Sequence, residues 1–191
     1  MKTARTLALF LIGCSSQAQP TIYHVCDSHA IPFELYALDI RDQAKADGVT
    51  FTDDELMSMY VEFLAGVLDY QEKLTEEVRK LAESTGVRRV YVEASLDGSM
   101  PTIEGLEALP AESVEALLQA SPVTPDGKIE FNADTMEKRE DAIVRRLLES
   151  GPVVIVILGG GHDLADNIER LSGGKVRYVR VMDSELKAVS E

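Results

Sequence analysis

The sequence predicts a single α/β domain in which a central, mostly parallel sheet is flanked by helices. Three observations carry that expectation. The run VVIVIL at 153–158 is apolar at every position, as in a strand covered on both faces. Short β-rich runs alternate along the chain with stretches of helical period. The 191 residues, 45% hydrophobic and 27% charged, are enough for one domain with a substantial core.

The first element reads as an address. Residues 1–13 (MKTARTLALFLIG) place Lys2 and Arg5 before a short apolar run, and Cys14 follows at once. That run is too short to cross a hydrocarbon core of about 30 Å as a helix. It has the order of a signal peptide. Leu11-Ile12-Gly13-Cys14 resembles a bacterial lipobox, which implies lipidation of Cys14. Residues 14–20 then form a polar tether, and the expected location is the bacterial cell envelope, lipid-anchored to the membrane. The plainer alternative is an ordinary apolar N-terminal element with an incidental cysteine. Cleavage would remove Lys2 and Arg5 and leave a net charge of about −16, so acyl chains rather than anionic headgroups must supply attachment.

The domain is expected over 21–185, with 186–191 as a tail. Residues 21–26 (TIYHVC) form a β-rich run, and 30–47 a helix with Pro32 in its first turn, ended by Gly48. Thr52 and Glu55 make a capping box that opens a long helix to about Ser84, closed by Gly86. Residues 88–94 read as a strand closing on Glu93. From Asp97 to Gly127, prolines and glycines predict loops with one short helix near Ala111 to Ala120. Residues 134–150 are amphipathic, with Met136, Ile143, Leu147 and Leu148 on one side. The apolar strand meets Gly159-Gly160-Gly161-His162-Asp163, then a helix to about Leu171 and a last strand over 176–182.

The charge balance narrows the partners. With 33 acidic and 19 basic side chains the formal net charge is −14, and the sequence pI is about 4.6. Phosphate backbones need clustered Lys and Arg, so nucleic acid is not an expected partner. Two cysteines cannot build a disulfide scaffold. The triple glycine does not continue as a dinucleotide-binding loop, because position 164 is Leu, and no phosphate-loop lysine follows. No nucleophile elbow, C-x-x-C or H-E-x-x-H is present.

His29, Glu93 and His162 each fall at or just past the C-terminal end of an expected strand. Ligand-binding groups gather at that edge of parallel sheets. Two histidines and a carboxylate can hold zinc, manganese or cobalt with positions left for water. Taken singly, each histidine could be a hydrogen-bonded cap, and Glu93 could pair with Arg88 or Arg139. The start of the following helix is expected to keep His162 neutral. Asp27 and Asp163 are further ligands, orienting partners or helix caps, with Asp163 better suited to a cap. His24 reads as a core or face residue, and Cys26 as a small buried hydrophobe rather than a ligand or nucleophile.

These residues resemble the superfamily of TraB, the TIKI proteases, ChaN-like haem-binding lipoproteins and erythromycin-esterase-like proteins. Gly159-Gly160-Gly161-His162 matches the second of that family's two G-x-x-H motifs. Cys26-Asp27-Ser28-His29 matches the first in spacing and histidine, with Cys where the family has Gly. The run VYVEA, with Glu93 and Ala94, is similar to the strand carrying the family's glutamate, and Lys138-Arg139-Glu140-Asp141 to its arginine-containing helix start. The resemblance spans most of 21–182 in short, degenerate motifs.

It implies an α/β fold and one of two activities. The first is a metal-dependent, peptidase-like hydrolase of the cell envelope. His29, Glu93 and His162 would hold a divalent ion, Asp27 would orient a histidine or accept a proton, and Arg139 would stabilise an oxyanion or pair with Glu93. Its partner would be a peptide or small-molecule substrate. The second is a ChaN-type lipoprotein that binds haem or another ligand without catalysis, with Tyr23, Tyr36 and Tyr178 as candidate axial ligands. A homodimer through exposed sheet edges is a further expectation.

Overall fold

A computed structural model describes residues 19–95, 98–120 and 132–182. Ten elements follow in order: β1 (Thr21–Asp27), α1 (Phe33–Ala46), α2 (Asp53–Thr85), β2 (Arg89–Val92), β3 (Glu107–Pro110), α3 (Val114–Gln119), α4 (Ala133–Leu148), β4 (Val153–Gly159), α5 (Ala165–Ser172) and β5 (Arg177–Val181). The five strands form one sheet in the order β3-β2-β4-β1-β5, every pair parallel. The α/β class is therefore as the sequence predicts.

Alternation along β4 divides the core in two. Val154, Val156 and Leu158 face one side with Ile22 and are covered by Ile143 and Leu147 of α4 and Ile168 of α5. Ile155 and Ile157 face the other with Val25 and are covered by Tyr70, Leu74 and Val78 of α2. Helices on both faces explain why β4 is apolar throughout.

The chain leaves β1 towards β2 over one face and leaves β4 towards β5 over the other. β1 and β4 are neighbours, with Asp27 opposite Gly159 in register. Their C-terminal ends are thus the point where connections diverge, the place where open α/β sheets bind ligands.

The capping box is in place: the Thr52 hydroxyl accepts from the Glu55 amide, and Glu55 accepts from the Thr52 amide at 2.8 Å. Gly86 closes α2 at φ 73°, a left-handed conformation that costs glycine little. The helix is longer than the sheet is deep. Tyr70 and Gln71 reach Cys26 and Asp27 at the upper end of β1, so residues 53–69 rise above the sheet edge by about 25 Å. There they pack on α1 through Phe33, Tyr36, Tyr60 and Phe63, with ring centroids 5.2 to 5.4 Å apart. Leu56 and Val67 are buried in this helical hairpin.

Three local expectations need correction. The stretch read as loops contains β3, a four-residue edge strand ending at Pro110, too short to show a period. Helix α3 is six residues long and begins at Val114 behind the Ser113 cap, so Ala111 and Glu112 precede it. Pro32 is the N-cap of α1 rather than a residue of its first turn. The signal peptide, Cys14, most of the tether, 183–185 of the expected domain and the 186–191 tail lie outside the described residues. Among the described residues no helix is long and apolar enough to cross a membrane.

Candidate functional site

Three strand ends deliver the site. Glu93 follows β2 directly, and its amide still pairs with the Ile157 carbonyl of β4. His29 stands two residues beyond β1. His162 follows the glycine turn after β4, which is pinned by hydrogen bonds from the Gly160 amide to the Asp27 carbonyl (2.9 Å) and from the His162 amide to the Gly159 carbonyl (3.0 Å). The structure therefore brings together His29, Glu93 and His162, with Asp27 and Arg139 beside them.

Glu93 is the hub. Its Oε2 lies 3.1 Å from His29 Nε2 and accepts from the Gly159 amide at 2.9 Å. Its Oε1 accepts from Arg139 Nη2 at 2.7 Å and stands 3.4 Å from His162 Nε2. Gly159 lies directly against this contact: a Cβ there would sit 3.4 Å from both Glu93 Oε2 and His29 Nε2.

The far nitrogen of each imidazole is also backed by a carboxylate. His162 Nδ1 lies 2.9 Å from Glu140, and His29 Nδ1 lies 3.5 Å from Asp27. Asp27 is held in turn by Gln71, which also donates to the Ser28 carbonyl at 2.7 Å, and by the Ser28 amide at 2.7 Å. His162 is buried, whereas the His29 side chain is 53% exposed. His29 is thus the side on which solvent or a ligand enters.

Of the two arginines expected as partners for Glu93, Arg139 is the one that bonds it. Its Nε donates to Glu112 at 2.6 Å, and Nη2 bonds both Glu112 and Glu93. Arg139 thus pairs with Glu93, one of the two roles expected for it. The N-cap of α5 is Leu164, which makes no side-chain cap bond; Asp163, one residue earlier, accepts from the Ala165 amide through Oδ1 at 3.1 Å. Cys26 is fully buried in β1, so the departure from Gly leaves an ordinary extended backbone.

The electrostatics overturn one expectation. Burial opposes charge on His162, but hydrogen bonds with Glu140 and Glu93 outweigh it and push its pKa up to about 9. It is therefore an imidazolium at neutral pH in this arrangement. The helix-start argument fails because α5 begins only at Ala165 and a carboxylate already satisfies its first amide. The Glu93 hydrogen bond likewise raises the His29 pKa against burial. Glu93 stays well below the usual carboxylate range: burial opposes this, but His162, His29 and the Gly159 amide together prevail.

Sequence reasoning missed Glu112, Gln71 and Arg180, and it named Glu140 only as part of the helix start beside Arg139, not as the partner of His162. Glu112 lies behind β3, in the stretch read as loop, and nothing in its spacing points to Arg139. Gln71 sits in a long helix, where its helical position alone names no partner. Arg180 of β5 donates to the Gly160 carbonyl at 2.9 Å and the His162 carbonyl at 2.7 Å, tying the glycine turn to the last strand. Its signal was the alternation of residues 176–182, which says only that it shares a face with Tyr178.

The candidate haem ligands are not gathered at one place. Tyr178 belongs to β5, and its hydroxyl lies 2.7 Å from His24 Nδ1, with its pKa raised first by burial. Tyr36 stacks in the α1–α2 hairpin, and burial raises its pKa too. Tyr23 is half-buried in β1. A phenolate ligand needs the opposite shift. His24 is fully buried, as its place in the strand predicts.

The donor set at the sheet edge suits a divalent cation in chemistry. Two imidazole nitrogens converge on one carboxylate, and each imidazole is oriented by a second carboxylate. Among the described residues, no three such side chains already stand as a cation cage. Glu93 instead lies in direct hydrogen-bond contact with both rings. Comparison of the sequence with protein-family models and with characterised proteins, and of the fold with solved structures, finds no match.

Proposed function

We propose that this protein is a divalent-metal-dependent hydrolase of peptide or related acyl substrates, in line with the family resemblance. The observation that carries the reading is the convergence of His29 Nε2 and His162 Nε2 on Glu93, while Asp27 and Glu140 back the opposite nitrogens. That is the arrangement by which proteins fix imidazole tautomers around an ion. Charge balance supports it. Four carboxylates (Asp27, Glu93, Glu112 and Glu140) surround Arg139 and the two imidazoles, an excess of acidic groups that a divalent ion would offset.

His29, Glu93 and His162 would hold the ion, with zinc, manganese and cobalt suited to such nitrogen and oxygen donors. Once bound, it would polarise a scissile carbonyl and lower the pKa of a bound water. The chain's own residues supply the frame. Asp27 orients His29 at the open side, Glu140 orients His162 inside, and Arg139 fixes the Glu93 carboxylate from behind. With Cys14 read as a lipidation site, the domain would act at the cell-envelope membrane on substrates outside the cytoplasm.

Elemental analysis of protein purified without a metal-affinity tag tests the reading. About one ion per chain is expected, lost from His29→Ala and His162→Ala, together with metal-dependent cleavage of a mixed peptide library. A chain that takes up no zinc, manganese or cobalt on incubation would overturn it.

A further inference from the structure

The α1–α2 hairpin carries an apolar strip that the described residues leave largely exposed. Met57, Val61, Leu64 and Leu68 recur at steps of four, three and four, so they share one face of α2. Leu68 is 71% exposed and Val61 59%, the most exposed large apolar side chains among the described residues, and Met57 is 45% exposed. Three residues further along the same face is Gln71, whose side chain holds Asp27 and the Ser28 carbonyl. The strip therefore starts beside the candidate site and climbs away from it for about 15–20 Å.

Charge decides what can lie there. Residues 53–72 hold six carboxylates (Asp53, Asp54, Glu55, Glu62, Asp69 and Glu72) and no cation. Lys73, next along, is paired with Asp69 at 2.5 Å, and Arg41 of α1 is paired with Asp53, so the acidic surplus rests on Asp54, Glu55, Glu62 and Glu72. A second copy packed antiparallel would align Met57 with Leu68 and Val61 with Leu64, but it would also set the acidic flanks of the two strips together, like charge on like. An anionic lipid surface is repelled for the same reason. An amphipathic segment with a basic flank satisfies both halves of the surface at once.

We propose that this face of α2 docks a basic amphipathic peptide segment, laid along the helix as a helix-on-helix contact. The docking stands without the hydrolase reading. Only the further step, that the docked segment delivers its continuation to His29 for cleavage, rests on that reading.

The test is binding to metal-free protein, read by fluorescence anisotropy. The probe is a labelled 18-residue peptide of leucine and lysine written at helical period. Controls are the same composition with the period scrambled and anionic phosphatidylglycerol vesicles. Saturable binding of the periodic peptide is expected, at least tenfold tighter than the scrambled one. The double variant Val61→Ser, Leu68→Ser should weaken it at least tenfold. Both positions are on the surface, so an unchanged Tm verifies that the variant is folded. Equal affinity for both peptides, or no effect of the double variant, would overturn the proposal as mere charge attraction. Self-association in sedimentation that the double variant abolishes would overturn it in favour of a second copy. Vesicle binding that the double variant abolishes would overturn it in favour of a membrane surface.

Discussion

Glu112→Gln isolates the support behind the site without touching its open side. The Glu112 carboxylate is 1% exposed and the Arg139 side chain 7%, joined through both Nε and Nη2. Breaking such a pair from one side leaves a guanidinium in the interior with half its compensation, a loss on the order of 3–5 kcal/mol. Glutamine keeps the shape and one acceptor, and Glu93 remains as a second partner, so the expected loss is near the lower end, about 3 kcal/mol. For a domain of this size that lowers Tm by about 6–12 °C. Equilibrium unfolding in urea, followed by far-ultraviolet circular dichroism, measures the loss directly. A second variant checks the cause. Replacing Glu112 and Arg139 together by Met removes the orphan charge along with the pair, while His29 and the Gly159 amide still hold Glu93, and should recover part of the loss. A deficit under 1 kcal/mol in Glu112→Gln, or strict additivity in the double variant, would refute the account.

Other expectations follow from single contacts. His24 is buried between Tyr178 and the Leu158 carbonyl, and burial above all pushes its pKa down to about 4. The unfolded chain, titrating near 6.5, takes up the proton first. This contribution is complete above pH 6.5 and is lost as pH falls towards 4, by up to about 1.4 kcal/mol per pH unit. Unfolding free energies measured from pH 7 to 4.5 should show that slope, and His24→Gln should remove it. Gly159→Ala places a methyl at ordinary contact distance from Glu93 and His29. The variant should stay within about 1 kcal/mol of the parent stability yet lose affinity for added zinc, as followed by calorimetry. Thr52→Ala removes the capping box of α2 and should cost about 1 kcal/mol, with faster hydrogen exchange confined to the first turns of the hairpin.

Much of this was legible because it is local. The β4 run, the capping box at Thr52 and the stop at Gly86 each announce themselves within a few residues. So does the coincidence of His29, Glu93 and His162 with strand ends, since a strand that leads into a turn marks where its edge lies. What stayed hidden depends on faces meeting across the sheet. Glu112 becomes a partner of Arg139 only when β3 adds to the edge beyond β2 and brings the following loop under α4. The charge state of His162 is set by Glu140, twenty-two positions away in the chain and across a helix–turn contact. The reading of His162 as neutral came from the helix after it, the one neighbour that sequence could supply. Gln71 is an ordinary polar residue on a helix until the length of α2 is compared with the depth of the sheet.

The tie between Arg180 and the glycine turn has a consequence for timing. β5 is the last strand described, and it joins the sheet only alongside β1, the first. The carbonyls of Gly160 and His162 therefore lack this clamp until nearly the whole domain has emerged and its two ends have met. A chain still being made carries His29, Glu93 and His162 well before this clamp can form. The last strand thus acts as a completion check: the glycine turn beside the candidate site is tied down only once β5 has joined β1.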